Sequence, residues 1–418
     1  MLQLTSTTKV ATLLFVACLL LFPYAGLTSE LQYPVPCYQG EELAKVQAWE
    51  KTWAGKKITS SNVDEVKEFL PENFYNVMRN TDRWGENWFE IVPYREVPVT
   101  PGNIKFTKQY QGQSKIGPDG EIINYISGVP FPDTKVAVEM AHNFRTRSFG
   151  DAYKSVDKGY IVDGRLKYDM SIEIRNNMCF FAARTDTPTT PELIPNPKQI
   201  WRAFSMEQIS PPEVRDMRIM EIHYKDRTKA YDRWLWIPAI RRVRRSSTTE
   251  RQDPKGGGDN AAYDNLGWDG AIQENTYKYL GTKELLLVRH ADKSNLEHTP
   301  GNCIFDGTQR ERVKAHMIEA VSKDPNFYYS KMFWYLDPES WQMLYSDRYD
   351  RRGRLWKVMD QMGFVGKGYG GVEFGHFCGN QTIDVQRIHS TVAVSDQKFG
   401  AEFKRSMFTF NYLQKHGR

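Results

Sequence analysis

A chain of 418 residues is long enough for one large or two ordinary domains. Hydrophobic residues at 40% and charged residues at 26% are ordinary for a globular protein. The net charge of +5 is spread along the chain with no Lys/Arg tail, which argues against a nucleic-acid partner.

At the N-terminus, Lys9 precedes an apolar run from Val10 to Gly26, with Ala25, Gly26 and Ser29 at its end. This reads as a secretory signal peptide over residues 1–28, cleaved on export to the periplasm. A membrane anchor is the alternative, but the run is at the short limit for spanning. Lipidation at Cys18 is a third reading, and the apolar run continuing past Cys18 opposes it. No later segment is apolar enough to cross a membrane, so a soluble or peripheral mature protein is expected, with contact to the outer membrane left open. Cys37, Cys179, Cys303 and Cys378 then remain, which permits disulfides in any of three pairings. No C-x-x-C spacing suggests zinc.

Glu41 to Trp53 carries Leu43, Val46, Trp49 and Trp53 at helical spacing. Asn62 with Glu65 predicts an N-cap box for a helix running to about Asn80. Pro118-Asp119-Gly120 predicts a hairpin turn. A further helix is expected from about Thr134 to Arg147, with Val136, Met140 and Phe144 on one face.

Beyond it the pattern is β almost to the end. Expected strands are Lys167–Ile174 and Met178–Arg184 about a turn at Asn176-Asn177, then Trp201–Ile209, Met217–Tyr224, Ala230–Pro238 and Arg241–Thr248. Thr276–Val288 follows, with Gly281 as a bulge or turn. Val313–Val321 also carries a helical stripe, but it precedes a turn and an aromatic strand, Phe327–Leu336, and is taken as strand. Met343–Tyr349 pairs with Leu355–Met362 across Asp350–Gly353. Thr382–Val394 and Ser406–Leu413 complete the set. Aromatics at 13%, with 11 Trp and 22 Tyr, suit such a sheet. Roughly ten strands in successive hairpins predict one antiparallel sheet that must curl.

Tyr231–Ser247 stands out. Trp234 and Trp236 share one strand face, and both faces of that strand are apolar. After a turn at Pro238-Ala239 come Arg241, Arg242, Arg244 and Arg245. The arginines fit either an exposed edge strand whose charges deter aggregation or the rim of a cavity that meets an anionic head group or a partner carboxylate.

No G-x-S-x-G, H-E-x-x-H or P-loop is present. His376 and Cys378 in Gly375–Gly379 are read as a loop histidine and a disulfide cysteine rather than a nucleophile–base pair. Asp253, Asp259, Asp264 and Asp269 lack EF-hand order and are expected in a solvated turn. No enzyme activity, metal or cofactor is expected.

Several spaced blocks together resemble an uncharacterised, widespread bacterial family, a domain of unknown function labelled outer-membrane lipoprotein-sorting-like. They are Gly128–Pro132 with His142-Asn143 and Arg145; Trp234, Pro238 and Arg241–Arg244; Tyr263–Asn265, Tyr277, Leu280-Gly281 and Lys283-Glu284; and Glu319-Ala320, Tyr335–Asp337, Trp341, Tyr349-Asp350, Gly353 and Leu355-Trp356. The likeness spans about residues 125–365. It departs at Lys314–Met317, which reads Lys-Ala-His-Met where the family has a His-Arg-Val-Trp-like strand.

The resemblance implies a fold like the Lol-type periplasmic lipoprotein carriers. The expected class is mainly β (α+β): a large curved antiparallel sheet forming a half-open barrel, with helices covering or plugging its concave face. Residues 29–133 would be a helical and irregular extension, and 134–418 the carrier-like domain. The expected function is a periplasmic carrier of a lipid, acyl chain or other hydrophobic ligand. Trp201, Phe204, Trp234, Trp236, Phe333 and Trp334 would line its site, with Arg242 and Arg244 at the rim. The alternative is an accessory interaction protein of an outer-membrane or transporter complex.

Overall fold

The computed structural model describes residues 31–186, 190–226, 228–246, 249–254 and 257–416. The expected signal peptide and Cys18 lie outside the described residues. The chain divides into units 1–32 and Tyr33–Arg418, and all that follows concerns the second.

The N-terminal third is mostly helical. Its elements are α1 (Gly40–Trp53), β1 (Lys57–Ile58), a 3-10 turn (Val63–Phe69), α2 (Glu72–Arg79), α3 (Thr81–Trp84), β2 (Phe89–Ile91), α4 (Pro101–Gln109), the hairpin strands β3 (Lys115–Ile116) and β4 (Ile122–Ile123), and α5 (Ala137–Thr146). The single helix expected over 62–80 is split. Pro71 has no N–H to donate and pushes Leu70 into extended backbone, so a 3-10 turn ends there and α2 starts after the proline.

The remainder is β-rich: β5 (Ala152–Val162), β6 (Tyr168–Phe180), β7 (Ile200–Ser210), β8 (Arg218–Tyr224), β9 (Asp232–Ile237), β10 (Arg242–Arg245), β11 (Asn275–Leu287), β12 (Thr308–Ser322), β13 (Lys331–Leu336), β14 (Met343–Tyr349), β15 (Leu355–Lys367), β16 (Glu373–Asp384), β17 (His389–Phe399) and a final helix α6 (Phe410–His416). The ambiguous Val313–Val321 is strand, inside β12. Gly281 sits at a register shift between β11 and β12 with φ +104°, the bulge expected there.

Several local expectations fail, among them the single strand Thr382–Val394, which is divided between the end of β16 and the start of β17. β6 runs straight through Asn176-Asn177, because Asn176 Nδ2 reaches Asp157 Oδ2 on β5 at 2.6 Å and Asn177 Nδ2 reaches Ser205 Oγ on β7 at 3.1 Å. These cross-strand bonds remove the usual reason for Asn to turn the chain. β5 is an additional long strand. The glycine-bearing stretch near His376 is strand β16, not loop. Ser406–Leu413 is helical, with Leu413 packed among Met220, Trp236 and Val243.

Fifteen strands form one sheet, in the order β1-β2-β12-β13-β14-β15-β16-β17-β5-β6-β7-β8-β9-β10, with β11 also on β12. Two meanders, β12–β17 and β5–β10, are joined where β17 pairs antiparallel with β5, from Ser390↔Val162 to Phe399↔Tyr153. The path begins at β1 and ends at β10, so the sheet is not closed into a barrel. β2 and β12 pair in parallel, unlike the antiparallel meanders. The class is α+β and mainly β, as expected.

Strand alternation defines two faces. On one, α5 packs over β11 and β13, with Phe144 against Trp334 at 5.2 Å between ring centroids. On the other, the helical N-terminal stretch buries Val46, Val66, Phe74 and Val77 against Val313, Ala315, Tyr335 and Tyr345. Among the described residues no helix is long and apolar enough to cross a membrane.

Candidate ligand cleft and the buried charge network

A cleft of about 480 Å³ opens beside the start of α5. Four segments wall it: Val35–Cys37, Pro132–Lys135, Thr282–Glu284 of β11 with Lys314 and His316 of β12, and Pro338 with Trp341 from the β13–β14 turn. The bulge at Gly281 sets the register that places Thr282 opposite His316 and Glu284 opposite Lys314. Thr282 Oγ1 lies 2.8 Å from His316 Nδ1. The His316 ring is 5.7 Å from that of Trp341. Burial, then Lys135 and Lys314, pushes the imidazole down to about 4, so it is neutral at physiological pH.

The cleft is braced by a buried ion cluster. Arg289 donates from Nη2 to Glu339, and both side chains are almost wholly buried. Glu339 also accepts from Cys37 N, Val97 N and Tyr94 OH, each at 2.7 Å. One carboxylate thereby ties the Val35–Cys37 segment to the β13–β14 turn. Burial alone would raise the Glu339 carboxyl, but Arg289 and these bonds hold it below its ordinary value. Burial pushes the Cys37 thiol well up, so it stays a neutral thiol. At the rim, Lys314 pairs with Glu42 at 2.7 Å and Glu284 with Arg312, while Lys135 and Lys283 make no ion pair among the described residues.

None of the eight residues proposed from the sequence lines this cleft. Trp201 and Phe204 meet on the α5 face with Phe149, Phe180 and Met178, and Arg145 of α5 stacks over Trp201 at 4.7 Å. Trp334 lies on that face beneath Phe144, Trp268 and Tyr277. Phe333 points the other way, towards the N-terminal helices, edge-on to Tyr349. Trp234 and Trp236 also face away from α5 and are covered by the C-terminal segment through Phe410 and Leu413. Arg242 and Arg244 are exposed on edge strand β10, Arg244 paired with Glu250. The turn at Pro238 is as expected, with Arg241 in the left-handed region.

Two local readings are corrected. The four cysteines are free and buried, so no disulfide joins them; Cys37 sits by Arg289 and Cys303 by Asn87. The aspartates do not form a solvated turn. Asp253 is exposed, but Asp259, Asp264 and Asp269 are buried. Asp259 takes His389 at 2.9 Å and Thr391 at 2.7 Å, Asp264 pairs with Arg348, and Asp269 gathers Arg145, Arg202 and Arg251. Most of their partners come from distant strands or from α5, so local composition did not reveal them.

Glu221, His223 and Asp269 present ligand atoms within 4.8 Å of one another. They do not suit a metal ion. Arg202 donates to Asp269 and lies 3.4 Å from His223 Nε2, while Arg233 holds Glu221 at 3.1 Å, so the site is already filled with positive charge. His376 and Cys378 do not form a nucleophile–base pair. His376 Nδ1 lies 2.9 Å from Phe377 O, the ring bonds no side chain among the described residues, and it is pushed down to about 3, chiefly by burial. Burial pushes the Cys378 thiol up to about 12.

Sequence reasoning missed most of the cleft wall. The signals available were the Gly281 bulge, the Lys-Ala-His-Met departure at Lys314–Met317, and the proline-bounded stretch before α5.

These features define an open-sheet α+β protein with a lateral cleft and a charged interior. The chain belongs to the family described as "Protein of unknown function (DUF1329)", whose model matches residues 57–414. It is 22% identical over 317 residues to uncharacterized protein PA3922 of Pseudomonas aeruginosa, covering 72% of this chain and 68% of that one. Among solved structures, it is similar to an outer membrane lipoprotein-sorting protein domain from Vibrio parahaemolyticus at 16% identity, with a TM-score of 0.48, covering 66% of this chain and 98% of the other. A DUF1329 family protein from Desulfovibrio piger gives 15% identity and 0.48 over 66% and 96%. The LolA superfamily protein NE2245 from Nitrosomonas europaea gives 13% and 0.40 over 67% and 100%.

Proposed function

We propose that the protein is a periplasmic carrier that holds a lipid, acyl chain or similar hydrophobic molecule in the cleft beside α5, without covalent chemistry. The observation that carries this reading is the cleft itself. Its volume of about 480 Å³ falls in the range of small-molecule sites, and Val35, Pro132, Pro338 and Trp341 give it apolar walls. Burial of each methylene there contributes about 0.8 kcal/mol before ordering costs. Lys135 and Lys283 suit a polar or anionic head at the rim. In this reading Trp201 and Trp334 act indirectly. They anchor α5 through Arg145 and Phe144, and α5 carries the Pro132–Lys135 wall. The export signal read at residues 1–28 supports the periplasmic setting.

The test is native mass spectrometry with lipid extraction of protein purified from its own periplasm, alongside titration of a fluorescent fatty-acid probe. Copurifying lipid and saturable probe binding are expected. Absence of both would sink the carrier reading.

One observation favours a second reading, an accessory protein of an envelope complex. Edge strand β10 exposes Arg242, Arg244 and Arg245 and pairs only with β9 among the described residues. Arg242→Glu with Arg244→Glu would abolish capture of a partner in cross-linking if that reading holds, and leave probe binding intact if the cleft alone matters.

A further inference from the structure

Two ring nitrogens in the wall of the cleft beside α5 have no protein partner among the described residues. His316 is 8% exposed and Trp341 2%, and both line the cleft. Trp341 Nε1 is buried without a hydrogen bond. His316 uses only its Nδ1, which lies 2.8 Å from Thr282 Oγ1 and 3.5 Å from Tyr279 OH. Nothing bonds its Nε2 among the described residues.

A β-bulge builds this arrangement. In a regular strand, residues three apart face opposite sides of the sheet. The register shift between Tyr279 and Gly281 brings Tyr279 and Thr282 to the same histidine, so Tyr279 OH also lies 2.8 Å from Thr282 Oγ1.

That chain of hydroxyls sets which nitrogen of His316 carries the proton. Burial, then Lys135 and Lys314, pushes the imidazole down to about 4, so the ring is neutral and has one N–H and one bare nitrogen. If Tyr279 donates to Thr282 and Thr282 donates to Nδ1, both hydroxyls are used and the proton sits on Nε2. The reverse order would put the proton on Nδ1 and leave the phenol O–H with no acceptor among the described residues. The forward order is therefore favoured, and it turns an N–H towards the cleft.

The charges of the lining are mixed. Lys135 and Lys283 make no ion pair among the described residues, Lys314 is held by Glu42 and Glu284 by Arg312. Asp133 is the remaining lining acid and is exposed. Behind Cys37, Asp337 and Glu339 share Arg289. The selective feature is thus unmet hydrogen-bond donation rather than net charge. An apolar chain that displaces solvent from Nε2 strands a donor unless the ligand itself brings an acceptor.

We propose that the ligand of this cleft carries a carbonyl oxygen at the head of its chain, as in a fatty acid, acyl ester or acyl amide, and that His316 Nε2–H donates to it, with Thr282 and Tyr279 as positioning residues. The inference rests on the carrier reading and narrows its ligand from any hydrophobic molecule to an acyl compound. Trp341 supplies a second unmet N–H in the same wall, its ring 5.7 Å from that of His316.

The test uses the intact protein loaded with a fluorescent fatty-acid probe. Two neutral competitors of equal length displace it, a fatty acid methyl ester and the alkyl methyl ether that lacks the carbonyl. The ester is expected to compete roughly tenfold better. The free acid and the primary amide are also expected to outcompete the ether, and their order with the ester identifies the head group. In His316→Phe the ester's advantage is expected to vanish while ether affinity stays, and His316→Gln, which keeps a neutral N–H, is expected to retain part of it. Thr282→Val is expected to reduce the ester-to-ether ratio, which a loss of packing alone would not change. Nitrogen NMR of the wild type is expected to show His316 protonated at Nε2. Equal competition by ester and ether, or a proton on Nδ1, would overturn the carbonyl assignment and leave the carrier reading standing. Failure of the probe and of every competitor to bind would remove the carrier reading, and this inference with it.

Discussion

Glu339 and Arg289 form an ion pair with side chains only 2% and 0% exposed, and the same carboxylate accepts the backbone N–H of Cys37. The pair therefore joins the fold's core to one wall of the cleft. Removing one partner strands the other charge in low dielectric, which costs far more than a surface pair. Glu339→Gln is expected to lower stability by roughly 3–5 kcal/mol in urea denaturation, and to weaken ligand binding by loosening Val35–Cys37. A loss within experimental error would mean that Asp337 alone neutralises Arg289.

Filling the cleft separates binding from stability. Val35 is 37% exposed, so Val35→Trp adds bulk at the cleft without invading the core. Probe affinity is expected to fall at least about tenfold, equivalent to about 1.4 kcal/mol, with Tm unchanged. Unaltered affinity would place the ligand elsewhere.

The rim lysines should read charge. Lys135→Glu with Lys283→Glu is expected to weaken binding of a fatty acid while sparing a neutral acyl ester of the same length. Equal losses for the two probes would remove the rim from head-group recognition.

Three buried histidines set the response to acid. Burial is the first cause that pushes His223 and His316 down to about 4 and His376 down to about 3. In the unfolded chain they titrate near their ordinary value, so as pH falls the unfolded state takes up protons first. Stability present above about pH 6.5 is therefore lost as pH drops towards 4, by roughly 3 kcal/mol for each group at the acid end. A melting series from pH 7 to 4.5 should show this slope, and His376→Phe should flatten it. A pH-independent Tm across that window would contradict the burial assigned here.

The four cysteines within the described residues are buried thiols. Folded protein is expected to resist a thiol reagent, to show all four thiols only after denaturation, and to keep its Tm in reductant. A Tm that drops with reductant would reveal a bond between them.

The sheet was legible because long antiparallel strands write their period directly into sequence. β7, β8, β11 and β14 fall within a residue or two of their expected bounds. Errors arose where a distant partner overrides a local preference. Asn176 stays in strand because Asp157 receives its amide. The C-terminal stretch is helical because Leu413 has Trp236 and Met220 to cover. The family blocks marked Gly128–Pro132 and Trp341 before their cleft was visible.

By itself the sequence determined the β-rich class, the strand alternation and several of the turns, such as those at Pro238 and Asp350–Gly353, since these depend on near-neighbour sterics and on the periodicity of apolar residues. Only the tertiary structure decided which face each tryptophan occupies, that the cleft lies beside α5 and not beneath Trp234 and Trp236, and that Asp269 collects three arginines. Burial and charge pairing are properties of residues far apart in the chain. Arg145, Arg202 and Asp269 carry no local mark of one another until the sheet and α5 bring them together.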